Sequence, residues 1–193
     1  LDPTNNNSYV DERLERLAKA GLGKMKVRDQ GDIDDDITCT CGRRRELVIY
    51  ADYTYFHSPL KCLSCFDPVP LYRIPQTGVD EYVDIITWAS DYEGCHRLYM
   101  NDVGVDRFVT RQMYSLDSAL TKRGLEVCQR IRELTGRKTY YFLRKLGGTN
   151  MKREKGRRCP SCGGEWLLKK RRHCFDFKCS KCCLLSSIGT GVY

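Results

Sequence analysis

The sequence predicts an α+β protein with a zinc-stabilised, β-rich N-terminal half, a helical middle and a C-terminal zinc ribbon. Three observations lead to this prediction. Twelve cysteines occur among 193 residues, and eight of them form two well-separated quartets of paired cysteines. Strand-like runs lie beside both quartets, and helical apolar spacing is concentrated between them. We divide the chain into an α+β domain, residues 1–148, and a ribbon, residues 149–193.

The first predicted element is a helix within "NNNSYVDERLERLAKAG". Val10, Leu14 and Leu17 form one apolar stripe, Ser8 is suited to cap the start, and Gly21 is suited to the end. The acidic "DQGDIDDD" that follows predicts a break in regular structure. The clearest strand of the N-terminal half spans residues 46–51.

The middle of the chain predicts two helices. Residues 80–100 have helical spacing of apolar side chains, whereas residues 105–114 fit either a strand or a loop. Ser115 is the predicted cap of the strongest helix, and Gly136 ends it. Its apolar face comprises Leu116, Leu120, Val127, Ile131 and Leu134. "KTYYFLRK" then predicts a strand, and "GGTNMKREKGRR" a basic, glycine-containing linker.

The C-terminal quartet has the spacing of a structural zinc ribbon. Cys159, Cys162, Cys179 and Cys182 form C-x2-C-x16-C-x2-C, and such paired thiolates suit a tetrahedral Zn²⁺. Gly163 is expected where a β-carbon would crowd the turn. "EWLLKK" and "CFDFKC" predict the two strands of a hairpin. Rubredoxin-like iron, or replacement of a ligand by Cys174 or Cys183, are the alternatives.

The N-terminal quartet predicts a second zinc site with a less usual spacing. Cys39, Cys41, Cys62 and Cys65 form C-x-C-x20-C-x2-C. Reduced structural cysteines, or a site in which His57 replaces one thiol, are the alternatives. Because four thiolates close the coordination shell of Zn²⁺, neither site predicts metal-assisted catalysis.

Charge is distributed unevenly along the chain. The formal net charge is +8, and residues 137–193 hold 15 Lys and Arg against 3 Asp and Glu. Such a surplus predicts contact with phosphates of DNA or RNA, and the interleaved Trp166 suggests base stacking. Four alternatives stay open: contact with a protein, a solvated basic face, a core role for the aromatic residues, and neutralisation of thiolates by basic ones. The candidate nucleic-acid-binding residues are Lys152, Arg153, Lys155, Arg157, Arg158, Trp166, Lys169, Lys170, Arg171 and Arg172.

Motifs of common enzyme classes do not occur. The sequence contains no G-x-S-x-G, H-E-x-x-H or G-x-x-x-x-G-K-[ST], which are patterns for hydrolases, metalloproteases and P-loop nucleotide binding. Only three histidines are available as general bases. The expectation is therefore a protein without enzymatic activity. A long apolar run and a secretory signal are also not visible, so we expect a cytoplasmic protein without a membrane contact.

Three segments together resemble a known family. The segments "SPLKCLSC…VPLYRIP", "WASDYEGCHRLYM" and "CPSCGGEW…FDFKCSKCCLLS" resemble a bacterial family of uncharacterised zinc-ribbon-containing proteins for which nucleic-acid binding has been suggested. The resemblance covers most of the chain and implies a ribbon on the C-terminal quartet.

The alternative function is an inhibitor or immunity protein that binds a basic toxin or enzyme through acidic residues 32–36 and 80–84.

Overall fold

The computed structural model describes residues 8–22, 38–42, 46–54, 57–78, 80–148 and 150–190. The chain divides into two compact units, residues 1–36 and residues 37–193. In the first unit, helix α1 spans Ser8–Lys19, and Gly21 follows it with a left-handed φ of +80°. The predicted first helix is therefore confirmed. The acidic segment 32–36 lies outside the described residues.

A six-stranded mixed sheet forms the second unit. Its spatial order is β2-β1-β3-β6-β5-β4. The three central strands β1, β3 and β6 run parallel. Strand β2 pairs antiparallel with β1, β5 pairs antiparallel with β6, and β4 at the edge pairs antiparallel with β5. The strands are β1 (Leu47–Ile49), β2 (Leu60–Cys62), β3 (Thr139–Leu143), β4 (Leu167–Arg172), β5 (Phe175–Cys179) and β6 (Leu184–Ser186).

Helices of the second unit cover one face of this sheet. Side chains of α2 and α4 pack with Tyr141 and Leu143 of β3 in the main core, and Tyr140 and Phe142 alternate to a second core on the opposite face. All of β3 is buried, as expected for a central strand. The helices are α2 (Val83–Met100), α3 (Asp106–Tyr114), α4 (Ala119–Thr135) and the short α5 (Met151–Lys155).

Two predictions about the helical middle need correction. Residues 105–114 are neither strand nor loop but contain α3, whose only buried residues are Val109 and Met113, four positions apart. The cap of α4 is Ser118, whose side chain accepts a hydrogen bond from the Thr121 amide, and not Ser115. A turn containing Leu116 precedes the helix, so the predicted apolar face began one turn too early.

Two further elements differ from the sequence prediction. The basic linker contains α5, which begins because the Asn150 side chain accepts a hydrogen bond from the Arg153 amide at 2.8 Å. Strand β6 was not predicted, since its three residues are too few to show a period. β6 pairs with β3 and with β5, so one sheet contains strands from both sides of residue 148. The division at residues 148 and 149 stays a prediction.

A buried ionic network ties α2 to the strand ends. Arg144, directly after β3, lies 3.2 Å from the Asp52 carboxylate and 3.4 Å from Nε2 of His96. His96 Nδ1 lies 3.9 Å from Asp52. Arg144 also donates to the hydroxyls of Tyr50 and Tyr92. Burial, together with the Arg144 charge, lowers the pKa of His96 to about 4. His96 is therefore neutral in the native protein near pH 7.

Substitution of Gly124 tests the contact between α4 and the sheet. A β-carbon on Gly124 would lie 2.1 Å from Tyr141 Cε2 and 2.6 Å from Trp88 Nε1. Because that overlap forces the aromatic pair apart, Gly124→Ala is expected to lower the free energy of unfolding by about 2–3 kcal/mol. Gly94→Ala is the matched control, since Gly94 lies in α2 with open space around it. This control should raise stability by about 0.5–1 kcal/mol. Equal urea midpoints for the two variants would contradict the packing described.

The neutral state of His96 predicts a pH dependence of stability. Between pH 6.5 and about 4 the unfolded chain binds a proton at His96 that the folded protein does not bind. Stability therefore falls as the pH is lowered through this window, by about 1–2 kcal/mol at pH 5 relative to pH 7. Urea unfolding at both pH values should show a smaller difference for His96→Gln than for wild type. His57→Gln, at an exposed position, should keep the wild-type difference.

Candidate metal centres

Four cysteines of the N-terminal half converge on one point. The Sγ atoms of Cys39, Cys41, Cys62 and Cys65 lie within 4.8 Å of one another. A tetrahedral ion with Zn–S bonds of about 2.3 Å requires S–S separations of about 3.8 Å, so small side-chain adjustments bring this group to ligand geometry. Cys39 and Cys62 are buried, and the other two are partly exposed.

The pair Cys62 and Cys65 lies in a tight turn at the end of β2. The Ser64 amide donates to Cys62 Sγ at 3.4 Å, and the Phe66 amide donates to the Cys62 carbonyl at 2.8 Å. Phe66 has a left-handed φ of +69°. Burial opposes ionisation of Cys62, but the backbone amides of Cys65 and Ser64 outweigh it, and the pKa falls to about 7. The turn thus favours one thiolate, as a metal-binding knuckle does.

Arg73 holds the pair Cys39 and Cys41 in place. The Cys39 amide donates to the Pro68 carbonyl at 2.8 Å, and Arg73 Nη1 donates to the Cys39 carbonyl at 2.9 Å. A second contact joins Arg73 Nη2 to the Thr38 hydroxyl at 3.4 Å. The loop that contains Thr38 and Cys39 is therefore held by a side chain more than thirty residues away in the sequence. No local sequence pattern identifies Arg73 as that residue.

The C-terminal quartet forms a second convergent group. The Sγ atoms of Cys159, Cys162, Cys179 and Cys182 also lie within 4.8 Å of one another, and Cys162 Sγ is 3.7 Å from Cys179 Sγ. The 3.7 Å separation already matches the sulfur spacing of a tetrahedral zinc site. Each predicted quartet thus forms its own group of four sulfurs. Neither Cys174 nor Cys183 takes the place of a predicted cysteine, and His57 belongs to neither group.

Two turns, one at residues 159–163 and one at residues 179–183, position the four sulfurs of the C-terminal quartet. The Gly163 amide donates to the Cys159 carbonyl at 2.8 Å, and the Cys182 amide donates to Cys179 Sγ at 3.4 Å. Gly163 has φ +68° and Cys183, after the second turn, has φ +53°. The expected crowding at Gly163 is wrong, because a β-carbon there would meet nothing within 4 Å. Glycine is favoured at this position by the left-handed backbone alone.

The thiol pKa values differ within each group. The Gly164 amide lowers the pKa of Cys162 to about 7. Burial raises the pKa of Cys159 to about 12, and burial also raises those of Cys39 and Cys182. Without a cation, each quartet thus holds one acidic thiol, Cys62 or Cys162, together with a thiol whose ionisation burial opposes, such as Cys39 or Cys159. A divalent ion removes this conflict, because it stabilises all four thiolates together.

Both groups lie at the same end of the sheet. Cys62 is opposite Leu47 at the start of β1, and Cys179 is opposite Leu184 at the start of β6. Since β1, β3 and β6 are parallel, both quartets lie at the amino ends of the central strands. β2 and β5 are four strand steps apart, which corresponds to roughly 19 Å at about 4.8 Å per step.

A polar bridge occupies the space between the two groups. Glu46, directly before β1, accepts hydrogen bonds from the Tyr140 hydroxyl at 2.9 Å and from Lys178 Nζ at 2.6 Å. Lys178 precedes Cys179 in β5 and also lies 4.7 Å from the centre of the Tyr140 ring. Strand β5, which ends at Cys179 of the second quartet, is therefore joined by an ion pair to the residue before β1.

Trp166 does not have the predicted role in base stacking. Its side chain is only 2% exposed, its Nε1 donates to the Arg157 carbonyl at 3.0 Å, and its ring packs on Phe177 at 5.1 Å. This is the core role that the sequence left open. Phe175 and Phe177 are fully buried as well, so none of these three rings can stack on a nucleotide in this structure.

Arg157 also differs from its predicted role. Its guanidinium donates to the Tyr114 hydroxyl at 2.7 Å and to the Ser187 carbonyl at 2.5 Å, and it lies 2.9 Å from the Glu154 carboxylate. With its side chain 13% exposed and these contacts made, Arg157 is a structural residue.

The other predicted basic residues divide by their partners. Arg158 pairs with Glu165 at 2.8 Å, and Arg171 lies 3.9 Å from Asp176. The remaining six basic residues have no carboxylate within 4 Å among the described residues. Arg172 is half-buried, and the other five are exposed: Lys152, Arg153, Lys155, Lys169 and Lys170.

The acidic surface of the alternative function is only partly described. Residues 32–36 lie outside the described part of the chain. Asp84 at the start of α2 accepts hydrogen bonds from the Thr77 hydroxyl and, at 2.8 Å, from the Ile85 amide. Asp84 therefore fixes the start of its own helix.

Comparison with known proteins decides the family. Residues 41–144 match a family described as "Domain of unknown function (DUF2310)". The chain belongs to this DUF2310 family. Residues 148–191 match a second family of the same kind, DUF8594, so the first match includes the N-terminal quartet from Cys41 onward and the second includes the whole C-terminal quartet.

Two curated relatives come from Haemophilus influenzae, and both carry the name "Uncharacterized protein". One is 33% identical over 192 residues, which is 97% of this chain and 73% of the relative. The other is 34% identical over 142 residues, which is 73% of this chain and 70% of the relative. These relatives place the chain in a bacterial family. No solved structure gives a significant match. Among the described helices, none is both long and apolar enough to cross a bilayer.

Loss of single cysteines tests whether both quartets bind metal. Purified, reduced protein is expected to contain about two equivalents of zinc, because each quartet closes one tetrahedral shell. Cys62→Ser and Cys162→Ser should each retain about one equivalent, measured by mass spectrometry of the metal content. Cys174→Ser, outside both groups, is the control and should retain two. Metal-free protein with the quartet cysteines oxidised in pairs would contradict both sites.

Proposed function

We propose that this protein is a non-enzymatic, cytoplasmic zinc protein that binds DNA or RNA through phosphate contacts along β4. The observation that supports this most directly is the charge of that strand. Lys169, Lys170 and Arg172 have no carboxylate within 4 Å among the described residues. β4 is also an edge strand of the sheet, which leaves one side of it open to a partner.

Zinc is the metal that we propose for both quartets. Each group offers four cysteine sulfurs, and four thiolates in a closed shell are typical of structural zinc. Zn²⁺ with four thiolates carries a formal charge of −2. The cationic residues of β4 still outweigh this charge locally, since Lys169, Lys170, Arg171 and Arg172 are consecutive.

Binding by this surface would depend on phosphates and would discriminate weakly between bases. The predicted stacking aromatic, Trp166, is buried. Phosphate contacts set affinity and orientation, whereas base contacts set sequence preference.

A cytoplasmic location is supported by the state of the thiols. All twelve cysteines lie in the described part of the chain, and none forms a disulfide. Paired cysteines that stay reduced are typical of compartments kept reducing by the cell.

Charge reversal on β4 tests the proposed function. Lys169→Glu/Lys170→Glu is expected to weaken binding to mixed-sequence DNA and RNA at least tenfold at about 0.1 M salt, because two phosphate contacts are lost. The slope of log K against log salt should decrease by about 2. Lys122→Glu/Arg97→Glu changes net charge equally at exposed positions on α4 and α2 and should bind like wild type.

Fluorescence anisotropy with labelled oligonucleotides measures both the affinity and its dependence on salt concentration. Equal affinities for the β4 variant and the control would contradict the proposal, as would affinity that does not change with salt. Stoichiometric capture of a protein from lysate after nuclease treatment would favour the inhibitor function instead.

A further inference from the structure

A groove lies at the end of the sheet opposite to the two cysteine groups. Its volume is about 430 Å³, within the range of small-ligand sites. The loop 145–148, which follows β3, forms one wall, and Arg153 and Glu154 of α5 form another. Tyr114 and Arg157 complete the lining. The loop leaves β3 at its carboxyl end, and open α/β sheets bind ligands outside the carboxyl ends of parallel strands.

The backbone around the groove is held by close packing. A β-carbon on Gly189 would lie 2.4 Å from the Gly147 carbonyl oxygen, so only glycine permits this approach. The Gly147 amide donates to the Thr190 hydroxyl at 3.1 Å, and the Gly189 amide donates to Glu154 at 3.1 Å. Segments after β3 and after β6 thus form one fixed floor.

The charges that line the groove do not cancel. Glu154 is 4% exposed, and its carboxylate is neutralised by Arg157 at 2.9 Å. Lys145 and Arg153 have no carboxylate within 4 Å among the described residues. Lys145 Nζ instead lies 4.9 Å from the centre of the Tyr114 ring. Two positive charges therefore remain inside the groove.

We propose that this groove binds a phosphate monoester. A monoester carries close to two negative charges at neutral pH, which balances Lys145 and Arg153. Arg157 donates to the Tyr114 hydroxyl at 2.7 Å, so that hydroxyl can donate its own proton to a phosphate oxygen. The Tyr114 ring is in contact with the cationic groups of Lys145 and Arg157 and is not free to stack on a base. Recognition is therefore directed at the phosphate group.

The test compares a monoester with a diester on the full-length, zinc-containing protein. Isothermal titration calorimetry is expected to show binding of methyl phosphate at least tenfold tighter than that of dimethyl phosphate, which carries one charge. Lys145→Glu/Arg153→Glu should abolish methyl phosphate binding, whereas Lys122→Glu/Arg97→Glu, with the same change in net charge, should retain it. Arg153→Ala, at an exposed position, should weaken binding and provides a second variant if the double variant does not fold.

Two oligonucleotides identify the source of the phosphate. Tighter binding of a 5′-phosphorylated strand than of the same strand with a 5′-hydroxyl, lost in Lys145→Glu/Arg153→Glu, assigns the groove to polynucleotide ends. Equal binding of the two strands, with methyl phosphate still bound, assigns it to small phosphorylated molecules. The inference is overturned if methyl phosphate does not bind up to about 10 mM, or if the double variant binds it like wild type. The β4 variant should bind methyl phosphate normally, so this inference and the proposed function can fail separately.

Discussion

The convergence of four sulfurs in each quartet is the constraint on which the amino end of the sheet depends. Each quartet draws its ligands from two separate turns, and β2 and β5 end where those turns begin. Thiolates at such distances repel one another unless a cation lies between them. A metal ion held by either quartet would therefore be coupled to the position of the outer strands, and its affinity would contribute directly to the folding free energy.

The carboxyl end of the sheet is organised differently. There, Arg144 bonds to Asp52 and to two tyrosine hydroxyls, and Arg157 bonds to Glu154, Tyr114 and Ser187. These arginines satisfy buried polar groups without a metal. Arginine side chains at one end hold the structure through carboxylates, hydroxyls and a carbonyl, whereas the thiols at the other end form two groups with the arrangement of metal ligands. The two ends of one sheet thus differ in what they can bind.

The sequence predicted the local features well and the distant ones poorly. Cysteine spacing identified both quartets, and the period of "KTYYFLRK" identified β3, because these signals lie within a few neighbouring residues. It missed β6, whose three residues show no period, and Arg73, whose contact with Cys39 spans 34 positions. The burial of Trp166 depends on Phe177 across the hairpin, and that packing is not encoded near residue 166.

The central position of β6 has a consequence for biosynthesis. A nascent chain that has emerged only as far as residue 148 contains β1, β2 and β3 but leaves the inner edge of β3 without a partner. That edge is formed by aromatic and aliphatic residues, and an unpaired apolar edge invites association with other chains. Closure must wait for residues 184–186, so the ribosome or a chaperone would have to shield β3 while residues 149–186 are made.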